Sequence, residues 1–196
     1  MTTEIIEPDG AAFRLPPLVT PEEFSAWTGG KVPAADPRVG PLLAGASAGI
    51  RRWCRWHVAP VLEETLTGDG PGGGLLLLPT GRLLAVLSGT NAGAPVDVAG
   101  LDFSQNGMVE LRDFRTWAPR FGGVSLRVRH GYDLADVPDL QAIVKQVTAN
   151  ALASPMGATR EQAGTVSVAW STTAPGVSGG LSLLQRDLEL LAAFKI

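Results

Sequence analysis

The chain has 196 residues, of which 45% are hydrophobic and 18% charged, a composition typical of a folded protein and not of a disordered one. Its formal net charge of -3 provides no overall field for holding a polyanion, so tight general binding to nucleic acid is disfavoured. The single cysteine, Cys54, excludes an intramolecular disulfide and favours folding in a reducing cytoplasm. No signal peptide is expected at the start, and no apolar run approaches the roughly 20 residues of a membrane span.

The chain is predicted to begin with an extended N-terminal arm, residues 1–19, because acids and prolines occur there without a sustained hydrophobic period. Thr20 then supplies a capping hydroxyl. Pro21 follows at the first helical position, and Glu23 stands three residues after the cap. This pattern predicts a short helix that runs to about Thr28.

A long amphipathic helix is predicted next, opened by a second capping signal at Asp36 and Pro37. Its apolar stripe recurs at alternating spacings of four and three: Val39, Leu43, Ala46, Ile50, Trp53 and His57. Glycines weaken the intrinsic helix propensity of this segment, so its stability must come from packing. On this stripe, we interpret His57 as a packed or hydrogen-bonded residue.

Beyond the helix, the hydrophobic period changes to that of short strands separated by Gly, Pro and Asn. The predicted antiparallel strands cover residues 58–67, 75–78, 82–88, 108–112 and 124–130. The glycine-rich loop 68–74 lacks the residues of a phosphate-binding loop and is predicted to be a hairpin turn, as are 89–93 and 105–107.

Helix returns at Pro138 and is predicted to end near Ala153, before Pro155. Residues 160–171 are predicted to form a strand or extended segment, and 171–180 a flexible linker. Ser182 is predicted to cap a short terminal helix that is apolar over too wide an arc for a single buried stripe. Its apolar residues therefore predict an interface with a second partner: Leu181, Leu183, Leu184, Leu188, Leu190, Leu191 and Phe194.

No catalytic or metal motif stands out in the sequence. His57 and His130 lack the spacings of zinc ligands, and no serine or threonine has a plausible local base, so no catalytic residue, metal or cofactor is expected. Arg51 and Arg55 are four residues apart and, on a helix, share a face that could contact another subunit or a DNA channel.

Taken together, these elements predict an α+β fold: a small helical bundle with an inserted antiparallel β unit, an extended N-terminal arm and a short C-terminal helix. The arm covers 1–19, and the helical body covers 20–170 with the β insertion at about 58–130. The linker and the apolar terminal helix cover 171–196.

Several short stretches occur in a distinctive order along the chain. They are LVTPEEF (18–24), WCRWHVAP (53–60), LLPT (77–80), HGYD (130–133), VPDL (137–140), SPMGATREQAG (154–164) and the terminal helix, 183–194. In this order they resemble the siphophage head-to-tail connector family, the adaptors of the portal-proximal neck ring. The likeness extends over roughly residues 18–196.

The resemblance implies a non-enzymatic virion protein, assembled in the host cytoplasm and placed in the neck of the particle. It implies a homo-oligomeric ring, a dodecamer, under the portal protein and above the next neck or tail protein. Genomic DNA would pass transiently through its channel, and no membrane is involved. The terminal helix and its linker would lie against the portal.

Two alternatives stay open at this point. The chain could be another neck or tail ring protein, a stopper or a tail terminator, which would bind tail components in place of the portal. It could also be a small ligand-binding or enzymatic domain with a site in the β insertion, where Asp97, Asp102 and Glu110 could converge.

Overall fold

The computed structural model describes residues 15–112, 115–153, 160–163, 166–169 and 181–196. The chain forms two compact units. The helical unit contains Pro16–Cys54 and Leu134–Lys195, and the β unit contains Arg55–Asp133. The protein therefore has an α+β fold with a short C-terminal helix, as predicted.

The helical unit begins with α1, Pro21–Trp27, whose start follows from its capping residues. The Thr20 hydroxyl accepts a hydrogen bond from the Glu23 amide at 3.2 Å, and the Glu23 carboxylate accepts one from the Thr20 amide at 2.8 Å. This reciprocal capping box satisfies two of the amides that a helix start leaves open. The first helix is confirmed where the sequence predicts it.

The long helix α2 spans Val39–Cys54 and buries the predicted stripe as far as Ile50. It does not reach His57, so that part of the prediction is wrong. The physical reason lies in the backbone, because Arg55 and Val58 adopt positive φ angles of 70° and 63°, which end a right-handed helix. His57 accordingly belongs to a loop of the β unit.

The second long helix, α3, spans Pro138–Ala153 and confirms the predicted bounds. After it, residues 160–171 fall only partly within the described residues. The strands β8, Arg160–Ala163, and β9, Val166–Ala169, pair there as an antiparallel hairpin. The predicted linker, 171–180, lies outside the described residues, as do residues 1–14 of the predicted arm.

The last helix, α4, spans Gln185–Leu191 and continues as one turn of 3-10 helix, Ala192–Phe194. Its cap differs from the prediction, because Ser182 is not the capping residue. The Asp187 carboxylate accepts a hydrogen bond from the Leu184 amide at 2.9 Å and closes the first turn from inside the helix. Within the described residues, none of the helices has the length and apolar character that crossing a bilayer requires.

The core of the helical unit forms where α2 and α3 pack together, with α1 against α2 and α4 against both long helices. Leu18 and Val19, at the end of the predicted arm, belong to this core. The buried Leu18 amide donates to the Ser47 hydroxyl of α2 at 2.9 Å. Residues 18 and 19 are therefore fixed on the helical unit.

The β unit contains two antiparallel sheets. The first has the strand order β1-β7-β3-β4, and the second has the order β2-β6-β5. The strands are β1 Leu62–Gly68, β2 Leu75–Leu77, β3 Leu83–Asn91, β4 Ala94–Pro95, β5 Leu101–Phe103, β6 Met108–Leu111 and β7 Val124–His130. Both sheets contribute to one apolar core that includes the fully buried Trp117.

Loop 68–74 is not the hairpin turn that its glycines predict. β1 pairs with β7 and β2 pairs with β6, so this loop carries the chain from one sheet to the other. A glycine-rich segment can form either a hairpin turn or a connection between two sheets. The choice of partner strand depends on which residues of distant strands are buried. The predicted turn 89–93 is too long, because residues 89–91 continue β3 and only 92–93 form the turn to β4. The turn at 105–107 joins β5 to β6 as predicted.

Candidate assembly surfaces

The apolar residues of the C-terminal segment divide into a buried and an exposed set. Leu191 is 0% exposed and packs into the core of the helical unit. Leu190, its neighbour, is 53% exposed, and Leu181 is also exposed. Leu183, Leu184, Leu188 and Phe194 are half-buried. Within a single chain, the helix therefore has apolar residues on two sides. Leu191 is buried in the core of the helical unit, and Leu190 is exposed.

Three contacts hold this segment on the helical unit. Leu181 lies over α2, where a Cβ placed on Gly45 would come within 2.7 Å of Leu181 Cδ1. The Lys195 ammonium lies 4.5 Å from the centroid of the Trp53 ring, a cation–π contact. The third contact is the burial of Leu191. Leu190 is thus presented on a segment that is fixed at both ends.

A second apolar surface lies on the three-stranded sheet of the β unit. Leu75 and Leu77 alternate along β2 and point away from the core, whereas Leu76 between them is buried. Leu77 is 70% exposed, and its register partner Met108 on β6 is exposed beside it. An exposed sheet face of this kind is typical of a surface that packs against another chain. The strand β2 is also an edge of its sheet.

This second surface is the feature that the sequence interpretation missed. Residues 75–78 are four consecutive leucines, so leucine side chains occupy both faces of the strand. A strand with one covered face alternates apolar and polar residues, whereas a strand that is apolar on both faces needs a second cover. From the sequence, only a strand is predicted here, and no contact is assigned to its outward face.

The acids of the β unit have local structural partners. Asp102 and Arg112 form a two-pronged ion pair with distances of 2.9 Å and 2.5 Å, and this hydrogen bonding lowers the pKa of Asp102. Asp97 accepts a hydrogen bond from the Ala99 amide at 3.1 Å and caps a 3-10 turn. Glu110 lies opposite Asp102 in the sheet register. Asp97 and Asp102 are thus held by local contacts of the kind that turn and surface residues make.

The two arginines proposed for a subunit or channel contact do not share a helix face. Arg55 follows the end of α2 and is exposed in the β unit. Arg51 is on α2, where its guanidinium donates to the Pro16 carbonyl oxygen at 2.8 Å. Burial lowers the pKa of Arg51 to about 10, so it remains charged at neutral pH. Arg51 therefore helps to hold residues 16–19 on α2.

Cys54 is buried at the end of α2, and burial raises the pKa of its thiol to about 11. The nearby Lys195 ammonium acts in the opposite direction, but its effect is smaller than that of desolvation. A thiol with so high a pKa is a poor nucleophile at neutral pH. Cys54 is therefore a packed thiol with low reactivity at neutral pH.

One buried polar cluster in the β unit brings together side chains that are far apart in the sequence. His130 Nε2, on β7, lies 2.7 Å from Glu64 Oε1 on β1, with these side chains 1% and 8% exposed. The rings of His57 and His130 have centroids 4.3 Å apart. The sequence spacing does not predict that these side chains are in contact. The contact arises because β1 pairs with β7 beside the loop of His57.

The fold and its open apolar faces are typical of a protein that packs against other chains. Solved structures that share this fold include chains from two particle necks. A chain of "Neck of native GTA particle computed with C12 symmetry" is 16% identical, with a TM-score of 0.56, over 79% of this chain and 86% of that chain. A chain of "Neck of empty GTA particle computed with C6 symmetry" is 17% identical, with a TM-score of 0.55 and the same coverage.

GTA denotes a phage-like gene transfer agent. At these identities the similarity establishes the fold. Neither a protein-family profile nor a curated protein sequence matches the chain.

Proposed function

We propose that the chain is a structural subunit of the neck of a phage or phage-like particle. In this proposal it forms a homomeric ring of twelve copies that joins the portal to the tail or to the next neck ring. The ring leaves a central channel through which DNA passes, and it assembles in the host cytoplasm. The role is one of assembly, without catalysis.

The observation that carries this proposal is the shared fold. The similarity to chains from particle necks covers 79% of this protein and 86% of each compared chain. Those necks are structures with C12 and C6 symmetry, which is the closed arrangement expected when one surface of a subunit contacts a different surface of the next. The twelvefold ring is taken from this symmetry and from the resemblance of the sequence to neck adaptors.

The two exposed apolar surfaces suit the two kinds of contact that such a subunit makes. We assign the terminal segment, with Leu181 and Leu190 exposed, to the portal. We assign the outward face of β2 and β6, with Leu77 and Met108, to a neighbouring subunit or the next neck ring. Covering a leucine side chain fully contributes about 1.5–3 kcal/mol, and a ring repeats each contact in every copy.

The charge of the chain is compatible with DNA passage. A formal net charge of -3 leaves no strong attraction for phosphates, so a channel built from this chain would let DNA slide. Arg51 donates one hydrogen bond to the Pro16 carbonyl oxygen, and Arg51 and Arg55 remain the residues proposed for a subunit or channel contact.

The test is co-assembly with the portal protein of the same particle. The purified chain and portal are mixed and examined by electron microscopy, and we expect a closed ring stacked on one end of the portal. A strict monomer that ignores the portal would contradict the proposal. Binding to tail components in place of the portal would instead favour a stopper or tail terminator, the alternative neck or tail role.

A matched pair of variants makes this test specific. Leu190→Ser removes an exposed side chain of the terminal segment, and Ala193→Ser changes an exposed residue of the same segment without removing apolar surface of comparable size. We expect only Leu190→Ser to weaken portal binding. A point substitution is preferable to removal of the helix, because Leu191 belongs to the core of the helical unit.

A further inference from the structure

The cluster formed by His57, Glu64 and His130 has the composition and size of a metal site. One ligand atom from each side chain lies within 4.8 Å of the others. Two imidazoles and one carboxylate form a donor set that proteins use for zinc and related transition ions, with a fourth position left for water. Within the part of the chain that the structure describes, this is the one group of this kind.

Hydrogen bonds define which ring nitrogens carry protons. The Pro60 carbonyl oxygen can only accept, so the His57 Nε2 that lies 2.9 Å from it is the donor. Glu64 is likewise an acceptor when ionised, so His130 Nε2 donates to it at 2.7 Å. An ion bound by all three side chains would take the place of the proton between His130 Nε2 and Glu64, since a metal ligand must be deprotonated.

The burial of the Glu64 carboxylate is the observation that points to an ion. The side chains of His130 and Glu64 are 1% and 8% exposed. A carboxylate held away from water in a protein is paired or coordinates a metal ion, and the two imidazoles place further ligand atoms beside this one.

A close backbone approach and a buried aromatic ring surround the cluster. Gly131 follows His130 with a φ of 107°, and a Cβ at this position would lie 2.5 Å from His57 Nε2. Glycine is therefore required for His57 to approach the strand. The buried ring of Trp56 lies against both histidines, at centroid distances of 5.3 Å from His57 and 6.4 Å from His130.

We propose that the β unit binds one divalent transition ion of the zinc class through His57, Glu64 and His130. The ion would tie the loop of His57 to the paired strands β1 and β7 and would act structurally, because the cluster is buried. Zinc to nitrogen and zinc to oxygen bonds are about 2.0–2.2 Å long, so ligand atoms around a tetrahedral ion lie about 3.3 Å apart. The Glu64 and His130 atoms, 2.7 Å apart, would separate by a few tenths of an ångström.

The experiment uses the full chain, stripped with a chelator and titrated with Zn²⁺ by calorimetry and with Co²⁺ by visible absorption. We expect one ion per chain, the absorption bands of tetrahedral cobalt, and a higher melting temperature with zinc. Glu64→Gln keeps the size of the side chain and should weaken binding by at least about 10–100-fold, as should His57→Gln. His57 lies in a loop, so this second variant tests the ligand set if Glu64→Gln fails to fold.

Glu63→Gln is the matched control. Glu63 adjoins Glu64 on the opposite face of β1, where it forms an exposed ion pair with Arg127 at 3.0 Å. We expect this variant to bind zinc as the unaltered chain does. Equal binding by Glu64→Gln and Glu63→Gln would overturn the proposal, as would the lack of binding at micromolar zinc.

Discussion

Leu190 and Leu191 are adjacent in α4, yet 53% of Leu190 is exposed whereas Leu191 is 0% exposed. One turn of helix thus serves two purposes. Leu191 holds α4 on the helical unit, and Leu190 is left for a partner. This difference allows folding and assembly to be tested separately.

Leu191→Ala is expected to lower the free energy of unfolding by about 2–5 kcal/mol, because it leaves a cavity in a packed core. Leu190→Ala should change the free energy of unfolding by less than about 0.5 kcal/mol, because its side chain is exposed. Urea denaturation of the two variants measures both values. Similar losses in the two variants would show that α4 does not divide into a core side and an open side.

Leu76 and Leu77 form the corresponding pair in the β unit. Leu77→Thr keeps a good strand former and removes an exposed apolar side chain, so we expect a folded protein with impaired ring formation. Leu76→Thr places a hydroxyl in the core and is expected to reduce the melting temperature. Thermal denaturation and analytical ultracentrifugation distinguish the two outcomes. Rings that form at unchanged concentration with Leu77→Thr would exclude this sheet face as a contact between neighbouring subunits.

Ser47 joins residues 16–19 to α2. Its buried hydroxyl accepts from the Leu18 amide at 2.9 Å and donates to the Leu43 carbonyl oxygen at 2.7 Å. Ser47→Ala leaves the buried amide without this partner and should lower the free energy of unfolding by about 1–3 kcal/mol.

The control for Ser47→Ala is Ala48→Ser on the exposed side of α2, which is expected to change the free energy of unfolding by only about 0.5 kcal/mol. Chemical denaturation compares the two. If Ser47→Ala were as stable as the unaltered chain, the Leu18 contact would contribute nothing to the helical unit.

Cys54 should label slowly and with a strong dependence on pH. Burial raises its thiol pKa to about 11, so at pH 8 only about one chain in a thousand carries the thiolate. Labelling by iodoacetamide should accelerate about tenfold per pH unit up to pH 10. A rate that levels off below pH 9 would contradict the raised pKa.

The same shift has a consequence for stability. The unfolded thiol loses its proton near the ordinary value of 9.0, whereas the folded thiol keeps it until about 11. The contribution of Cys54 to stability is therefore complete below pH 9 and is lost as the pH rises towards 11. A Cys54→Ala variant should lack this component of the alkaline destabilisation, which thermal melts between pH 8 and pH 11 measure.

The sequence predicted those helix ends that depend on capping residues and prolines next to them. The capping box of Thr20 and Glu23 determines the start of α1, and the bounds of α3 follow from Pro138 and the residues after Ala153. The end of α2 could not be predicted in this way. Arg55 has a positive φ, but the sequence has neither glycine nor asparagine at that position to indicate a helix end.

Contacts between distant positions could not be predicted from the sequence. The contact of His57 with His130 depends on the pairing of β1 with β7. Loop 68–74 has the glycines of a hairpin turn, and its residues do not indicate that the strands on either side pair elsewhere. Asp187 was not recognised as the cap of α4, since a carboxylate inside the first turn resembles an ordinary helix-start acid. For the assembly surfaces, the terminal helix was indicated by its wide apolar arc, whereas the face of Leu75 and Leu77 was missed.

The central claim, that this chain is a neck subunit, is tested most directly by locating it in the particle. Particles carrying the chain with a small tag are purified and imaged by electron cryomicroscopy with a tag-directed label. We predict label at the junction of head and tail, on a ring with twelve copies of the chain. Purified, intact particles without the chain, or label at the capsid or the tail tip, would contradict the claim.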